Sequence, residues 1–282
     1  MKISVNTYSF SNARTEAGAS MTQFEMIDFA KENGFDAIEI VGLQCGEESP
    51  LEYAKKLSAQ AKKAGIEISC YTVGADLLAE GGVDNVLREV DVAEALGVKI
   101  MRHDAAWNCP EGKTFEDVLP VLGERCRIIT EYAQGKGVRT TVENHGFFVQ
   151  DAHRMVALVK AVNHPNFGLL CDIGNFMCAD EISVNSVSQV APYAIYVHAK
   201  DFLYKSAGEC IDGNAPSGYF ATRGGNYLRG TITGNGVVNL AECMKILKAA
   251  GYDGYVSLEF EGPEEPLGAI KEGLENIRKA IM

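Results

Sequence analysis

Four ionisable side chains each follow directly on an apolar run in the second half of the chain: Glu143, Asp172, His198 and Glu259. The runs belong to TTVENH, LLCD, YVHAKD and VSLEFE and should be buried. Buried carboxylates that converge on one point are intolerable unless a cation neutralises them. Three carboxylates and one imidazole, without a thiolate, form a hard, oxygen-rich ligand set. These residue types predict one divalent metal ion, manganese first, with magnesium, cobalt or zinc as alternatives.

A lone acidic residue at the end of a strand more often caps a helix or forms a surface ion pair. The metal prediction therefore depends on the four positions taken together. At the last of them the choice stays open, because Glu261 shares the strand face of Glu259 and lies two residues further out. An octahedral ion with four protein ligands would keep two positions open for neighbouring oxygens of a substrate.

The elements that must position these residues show a repeated phrase, in which an amphipathic helical run is followed by a glycine and a short apolar strand. The glycines that would end these helices are Gly34, Gly65, Gly97, Gly137 and Gly251. Glycine suits this place because it adopts the left-handed conformation without a Cβ penalty. Helices that alternate with continuous apolar strands predict a parallel sheet covered on its outer face.

Eight strands are predicted, at residues 2–9, 37–41, 66–73, 99–104, 139–144, 167–172, 195–200 and 254–260. The predicted helices cover residues 22–33, 51–64, 83–96, 115–136, 151–162, 184–193, 239–250 and 266–281. Eight such units predict a closed (β/α)8 TIM barrel of the α/β class, one domain over residues 1–282, with its active site at the C-terminal strand ends. An open doubly wound sheet is the alternative, but the first turn, SFSNARTEAGAS, lacks the glycine fingerprint of that fold.

One connection is much longer than the others. Residues 203–238, after strand seven, are rich in Gly, Asn and Tyr. Long connections in compact domains are usually functional, so this segment is predicted to be a long loop that serves as a lid or binding loop.

These motifs together resemble the sugar-phosphate isomerase/epimerase family of xylose-isomerase-like TIM barrels. The resemblance covers essentially the whole chain and depends on the order and spacing of VENHG, LLCDIGN, VHAKD, TGNGVVNL and GYDGYVSLEFEG. It implies that the four residues above are the metal ligands and that Glu143 and Glu259 are the catalytic acid/base pair. It also implies a small sugar or polyol substrate, which could be a ketose, a sugar phosphate or an inosose.

The chain departs from the ketose 3-epimerases of that family at two substrate-binding positions. Asn175 stands where they often have a histidine, and Tyr204 stands where they have an arginine. Polar side chains that could hold substrate oxygens here are His103, His145, Asn175, Lys200, Arg223 and Arg229. The two arginines belong to the long segment, where solvated arginines are equally expected.

The predicted reaction is isomerisation or epimerisation by proton transfer through a metal-stabilised enediolate. Glu143 and Glu259 belong to strands three steps apart in the predicted ring, so one can remove a proton and the other return it. A metal-dependent lyase or dehydratase of an inosose or a dehydroshikimate-like substrate could use the same residues. An endonuclease-like phosphodiesterase is a weaker alternative because it needs further histidines and a basic face. A non-catalytic sugar-binding barrel would need no metal.

Composition excludes several other classes. A formal net charge of −12 disfavours nucleic acid and anionic membranes as partners. No apolar stretch approaches the roughly 18 residues that span a bilayer, so a cytoplasmic protein is expected, alone or as a homo-oligomer. Eight cysteines without a C-x-x-C pair indicate neither a zinc cage nor a disulfide framework.

Overall fold

Eight parallel strands close into a barrel in the computed structural model, which describes residues 1–15, 17–210 and 215–282. In the order of their pairing, the barrel strands are β1 (Lys2–Asn6), β11 (Tyr255–Leu258), β7 (Ala194–Ala199), β6 (Phe167–Asp172), β5 (Arg139–Glu143), β4 (Ile100–His103), β3 (Glu67–Val73) and β2 (Ala37–Val41). The predicted single-domain (β/α)8 barrel is thus confirmed, and the doubly wound alternative is wrong.

In the part of the chain that the structure describes, eight α-helices surround the barrel. They are α1 (Gln23–Glu32), α2 (Pro50–Ala64), α3 (Gly82–Leu96), α4 (Phe115–Gly135), α5 (Ala152–Val162), α6 (Ser183–Val190), α7 (Leu240–Ala249) and α8 (Pro266–Ile281). Each of the five glycines expected to end a helix has a positive φ, between 70° and 87°. Among the described residues, no helix combines the length and apolarity needed to cross a membrane.

Two elements, β1 and α6, end three residues earlier than the sequence indicates. Strand β1 stops at Asn6, whose side chain accepts a hydrogen bond from the Tyr8 amide and starts a 3-10 turn over Thr7–Phe10. Helix α6 stops at Val190 and continues as a 3-10 turn that contains Pro192. Proline cannot donate the backbone hydrogen bond that another α-helical turn would need.

The interior of the barrel holds a small apolar layer formed by Cys70, Leu170 and Tyr196. The Tyr196 hydroxyl shares a 2.7 Å hydrogen bond with Ser69 Oγ. Because alternate residues of a strand share a face, Asp172 and His198 lie on the same inner faces as Leu170 and Tyr196, one step closer to the C-terminal mouth. A packed layer therefore supports the polar layer above it.

The long segment after β7 contains a small antiparallel sheet within the range predicted as a loop. Its strands are β8 (Asp201–Lys205), β9 (Phe220–Ala221) and β10 (Tyr227–Thr231), in the order β8-β10-β9. Residues 211–214, also part of the predicted loop, lie outside the described residues. Phe202 and Leu228 pack on Cys178, which belongs to the 3-10 turn Asn175–Ala179 after β6. We call residues 201–238 the insertion.

A single carboxylate joins the two ends of the insertion. Asp201 Oδ1 accepts hydrogen bonds from the amides of Phe202 and Val238, at 2.9 and 3.0 Å. Its Oδ2 accepts from the amides of Gly234 and Gly236, at 2.9 and 2.8 Å. A Cβ at Gly236 would collide with Asp201 Oδ1, so the close approach requires glycine. These contacts explain why the VHAKD and TGNG motifs occur together in the chain: the aspartate of the first binds the backbone amides of the second.

We predict that Asp201→Ala lowers the free energy of unfolding by about 3 kcal/mol or more, because each buried amide left without an acceptor costs about 1–3 kcal/mol. Urea denaturation followed by circular dichroism would measure it. Asp180→Ala is the matched control: Asp180 also accepts several bonds, from Thr222, Gly224 and Asn226, but at an exposed turn. Equal losses in the two variants would contradict the anchoring role of Asp201.

Candidate metal centre

The residues predicted as metal ligands lie together at the C-terminal mouth of the barrel. Glu143 and Asp172 end β5 and β6, His198 is the penultimate residue of β7, and Glu259 follows the end of β11. One ligand atom from each lies within 4.8 Å of those of the other three. His198 Nδ1 is 2.6 Å from Glu259 Oε2 and 3.5 Å from Glu143 Oε1. We call these four residues the quartet; none has a side chain more than 12% exposed.

Three atoms of the quartet are enclosed without a hydrogen bond of acceptable geometry, although the first and the last lie 2.6 Å apart: His198 Nδ1, Asp172 Oδ2 and Glu259 Oε2. Such atoms are rare in folded proteins, because burying a polar atom without a partner is unfavourable. The other oxygen of Asp172 accepts from the amides of Gly174 and Asn175, at 2.7 and 3.0 Å. Since the unpaired atoms face one another, a single cation could serve all of them. The donor set therefore fits a divalent metal ion.

Glu39, which the sequence analysis missed, fixes the orientation of the His198 ring. It lies on β2, is fully buried, and places its two carboxylate oxygens 2.9 and 3.0 Å from His198 Nε2. Thr72 donates a 2.6 Å hydrogen bond to Glu39 Oε1. When Nε2–H donates to Glu39, the lone pair of Nδ1 points into the quartet, as in carboxylate–histidine–metal arrangements. The sequence feature that could have identified Glu39 is its position as a single acidic residue within the apolar strand AIEIV.

Two buried cations balance the carboxylates. Arg102 Nη2, also missed, lies 2.8 Å from Glu143 Oε2 and 2.7 Å from an oxygen of Asp104. Lys200 Nζ lies 3.4 Å from Glu259 Oε1 and 3.0 Å from Glu261 Oε2. Glu261 thus pairs with the lysine outside the quartet, which favours Glu259 at the position that the sequence left open.

These charges set the pKa values of the two glutamates. Burial alone would raise the pKa of each, but the cations outweigh it. Arg102 and His198 hold the pKa of Glu143 well below its usual range. Lys200 and His198 lower the pKa of Glu259 to about 2. Both glutamates are therefore ionised at neutral pH in the metal-free protein.

Asp172 and His198 are shifted the other way, toward their protonated forms. Burial, aided by repulsion from Glu143 and Glu259, raises the pKa of Asp172 to about 7 despite the attraction of Lys200. Burial opposes the charged form of His198, but the surrounding glutamates raise its pKa well above its ordinary value. Both shifts favour the protonated forms and so reduce the net negative charge of the quartet.

The loops after β5 and β6 lock these side chains in place. The Asn144 side chain bonds both the amide and the carbonyl of Asp172, at 2.8 and 2.9 Å. Asn175 Nδ2 donates to Glu143 Oε1 at 3.0 Å, so this predicted substrate ligand lies at the quartet. A Cβ at Gly174 would lie 2.6 Å from the carbonyl oxygen of Lys200, which requires the glycine of CDIGN.

Two predicted substrate ligands lie on β4 or next to β5. His145 Nδ1 is 3.2 Å from Asp104 Oδ1, and its half-exposed side chain connects to the quartet through Asp104 and Arg102. His103 is fully buried, and its Nδ1 lies 2.9 Å from the carbonyl oxygen of Asp104. Strand alternation places it on the face opposite Arg102, so it does not reach the quartet. Burial lowers the pKa of His103 to about 4.

The two predicted arginines hold the insertion and do not join the quartet. Arg223 Nη1 lies 2.5 Å from Asp151 Oδ1, and its Nη2 donates to the carbonyl of Phe147. The Arg229 guanidinium lies over the ring of Tyr219, 5.5 Å from its centroid. Arg223 therefore ties the insertion to the loop after β5.

A second acidic group, Asp151, His153 and Glu181, also lies within 4.8 Å. Asp151 forms ion pairs with Arg223 and Arg154, although its Oδ2 makes no hydrogen bond of good geometry. Glu181 Oε2 accepts from the Ala152 amide, which caps α5, and from Ser186 Oγ. The two arginine side chains already supply positive charge here, so this group gives less reason for a cation than the quartet does.

Comparison with known proteins gives a consistent family and fold. The family model described as xylose isomerase-like TIM barrel matches residues 27–280. Over 184 residues the chain is 26% identical to the uncharacterised protein YihM of Escherichia coli, a match that covers 64% of this chain and 52% of that protein. Over 264 residues it is 24% identical to an inosose dehydratase of Serratia proteamaculans, covering 85% and 87% of the two chains.

Solved structures share the barrel at low identity. A probable 3-DHS dehydratase from Bacillus anthracis superimposes with a TM-score of 0.74 at 22% identity, over 98% of this chain and 99% of that one. A D-psicose 3-epimerase from Clostridium cellulolyticum gives 0.74 at 16% identity, over 100% and 99%. A barrel protein from Mycobacterium smegmatis in complex with magnesium gives 0.74 at 19%, over 99% and 96%. At sequence identities this low, the structural similarity shows a shared fold and does not show a shared function.

We predict that Glu39→Gln weakens metal binding about 10- to 100-fold, because the neutral amide no longer holds the His198 ring as a carboxylate does. Titration of the metal-free protein with Mn²⁺, followed by calorimetry, would measure the dissociation constant. Glu67→Gln, at an exposed position on β3, is the control and should bind as the wild type does. An unchanged affinity in Glu39→Gln would show that Glu39 does not orient the ligand.

We also predict that pH separates metal-free wild type from Asp172→Asn. The raised pKa of Asp172 means that the folded state binds the proton more tightly than the unfolded state, so the stability it contributes is lost as pH rises from about 4 to 7. The side-chain amide of the variant has no proton to lose in this range. The free energy of unfolding of wild type relative to the variant should fall by up to about 1.4 kcal/mol per pH unit. Urea titrations at pH 5, 6 and 7 that give a constant difference would contradict this.

Proposed function

The chain belongs to the xylose isomerase-like TIM barrel family, and from this premise we propose that it is a divalent-metal-dependent isomerase or epimerase of a small sugar or polyol. The observation that carries the proposal is the trio of unpaired, enclosed ligand atoms on His198, Asp172 and Glu259. A bound ion would hold the carbonyl oxygen of the substrate and its neighbouring hydroxyl and would stabilise the charge that develops on them. The oxygen-rich donor set supports manganese or magnesium.

The two glutamates of the quartet are not equivalent as bases. Both oxygens of Glu143 have partners, Asn175 and Arg102. Glu259 is the more exposed of the two, 12% against 4%, and its Oε1 has a longer contact with a cation, 3.4 Å from Lys200 Nζ. We therefore assign the first proton removal to Glu259 and the return of a proton to Glu143, which, being ionised, must first take that proton from solvent. Glu143 ends β5 and Glu259 follows β11, three strands away in the barrel order, which supports removal and return of the proton on different sides of the substrate.

Aromatic side chains at the mouth offer surfaces for the C–H faces of a sugar. Trp107 is 54% exposed on the loop after β4, and its indole Nε1 lies 3.4 Å from Asp104 Oδ2. Phe147 is 44% exposed on the loop after β5. A polyol has alternating apolar and hydroxyl edges, so such rings could orient it above the quartet.

A metal-dependent dehydratase is the second candidate. The similarity to an inosose dehydratase over 85% of the chain favours it. In that reaction Glu259 would again remove a proton beside a carbonyl, and Glu143 would pass a proton to the departing hydroxyl. The two candidates share their first step and differ in whether water is lost.

We predict that the Mn²⁺-loaded protein, incubated with free and phosphorylated ketoses and with inososes in heavy water, places deuterium at the carbon beside the carbonyl. Glu259→Gln should lower the exchange rate at least about 100-fold, the usual contribution of a general base. Glu143→Gln should retain exchange but lose product. Proton NMR measures both, and elemental analysis of each variant separates loss of the ion from loss of the base.

Glu111→Gln, an exposed change on the loop after β4, is the control and should leave exchange unchanged. Product without deuterium, formed by a Glu259→Gln protein that still holds metal, would overturn the proton-transfer assignment. A product that has lost water would identify the dehydratase. Binding of sugars without metal dependence or exchange would indicate a non-catalytic barrel.

A further inference from the structure

The cations beside the quartet are already committed to protein carboxylates. A phosphate or carboxylate on a substrate needs a cation or amide that is not otherwise used. Arg102 and Lys200 each have only 6% of the side chain exposed, and each contacts two carboxylates. The Lys200 ammonium is further enclosed by Glu261, which accepts a hydrogen bond from the Tyr8 hydroxyl at 3.1 Å. Neither cation is presented to an incoming anion.

The basic residues of the insertion are also engaged. Arg223 contacts Asp151 and the Phe147 carbonyl. Arg229 lies over Tyr219, and its Nε, although without a hydrogen-bond partner, is enclosed by the protein. Lys205 lies on the same ring, with Nζ 5.8 Å from its centroid. These side chains therefore stabilise the insertion and do not form an anion site above the quartet.

The place where TIM barrels frequently bind phosphate is occupied by the chain itself. That place is formed by the loops after strands seven and eight and by a helix N-terminus. Here α8 begins after the acidic segment EGPEE, and Glu265 accepts hydrogen bonds from the amides of Leu267 and Gly268, at 3.0 and 2.7 Å. The amides that could hold a phosphate thus hold a carboxylate.

The remaining charges at the mouth repel anions. Glu39, Asp104 and Glu261 adjoin the three carboxylates of the quartet through His198, Arg102 and Lys200. These six carboxylates outnumber the positive charges of a divalent ion, Arg102 and Lys200, even when His145, which contacts Asp104, is protonated. A negatively charged substrate would be repelled by this excess of negative charge, in a site with little water to screen the repulsion.

We propose that the substrate is uncharged: a free ketose or a cyclic keto-polyol, and neither a sugar phosphate nor a keto acid. This inference rests on the proposed function, because it names the substrate class of the same site. For substrates with one carbon skeleton, kcat/KM of the neutral compound should exceed that of its anionic counterpart at least about 100-fold, since close like charges cost several kcal/mol.

The test uses matched pairs with the Mn²⁺-loaded protein: D-fructose against D-fructose 6-phosphate, and D-xylulose against D-xylulose 5-phosphate. Deuterium exchange measures kcat/KM at 20 and 200 mM salt. The neutral compounds should show no salt dependence, whereas exchange of the anions should rise with salt because repulsion is screened. Calorimetry with xylitol and xylitol 5-phosphate measures the same preference in binding, without turnover.

A variant connects the preference to the structure. Glu261→Gln removes one carboxylate from Lys200, so the anion-to-neutral ratio of kcat/KM should rise about tenfold, which corresponds to about 1.4 kcal/mol. Glu111→Gln, equally a loss of one negative charge, should leave the ratio unchanged. An unchanged ratio in Glu261→Gln would refute the role given to the Lys200 pair.

Equal or better turnover of the phosphorylated compounds by the wild type would overturn the proposal. If that preference disappeared in Arg14→Gln or Lys113→Gln, exposed residues on the loops after β1 and β4, the anion site would lie at the rim. If no compound of either kind undergoes exchange, the proposed function fails, and the xylitol pair still decides the charge preference.

Discussion

The structure of the mouth depends on one constraint, the balance of charge around buried carboxylates. The quartet places Glu143, Asp172 and Glu259 near one point at the end of the barrel. Their mutual repulsion would destabilise the fold if it were not offset. Arg102, Lys200 and the His198 imidazolium supply part of the offset, and the proton on Asp172 supplies another part. The ligand atoms without hydrogen bonds are places where a cation could add to this compensation.

The same constraint orders the residues around the quartet. Arg102 is fixed by Asp104, which also contacts His145 and Trp107. Asn144 and Asn175 connect the ends of β5 and β6, so that Glu143 and Asp172 cannot separate. Side chains that hold one another in this way need not reorganise when a charge develops nearby, which is the basis of electrostatic preorganisation.

The sequence predicts the barrel and the quartet because both depend on local patterns. Continuous apolar strands and glycine helix ends repeat along the chain, and each quartet residue follows an apolar run. Glu39 and Arg102 were missed because each lies inside a strand, and only the strand pairing shows which side chains face the interior. From the sequence, His103 was considered as a substrate ligand, whereas Arg102 was not considered. The two differ by one residue in the alternation of β4, and that difference places them on opposite faces.

The insertion escaped prediction for another reason. Its strands are two to five residues long, and they carry no clear alternation that distinguishes them from a loop. Their stability comes from packing on Cys178 and from the polar contacts of Arg223 and Asp180, which only tertiary structure reveals. The substrate-binding role considered for Arg223 arose from the same gap, since its partners Asp151 and Phe147 are distant in sequence.

The Asp201 anchor has an evolutionary consequence. Because one carboxylate bonds both the first and the last part of the insertion, the two ends of this segment stay side by side whatever lies between them. A chain whose ends are fixed in this way can change length with only a small entropic effect on the barrel. Descendants of such a gene can therefore exchange the intervening residues while the quartet is inherited unchanged.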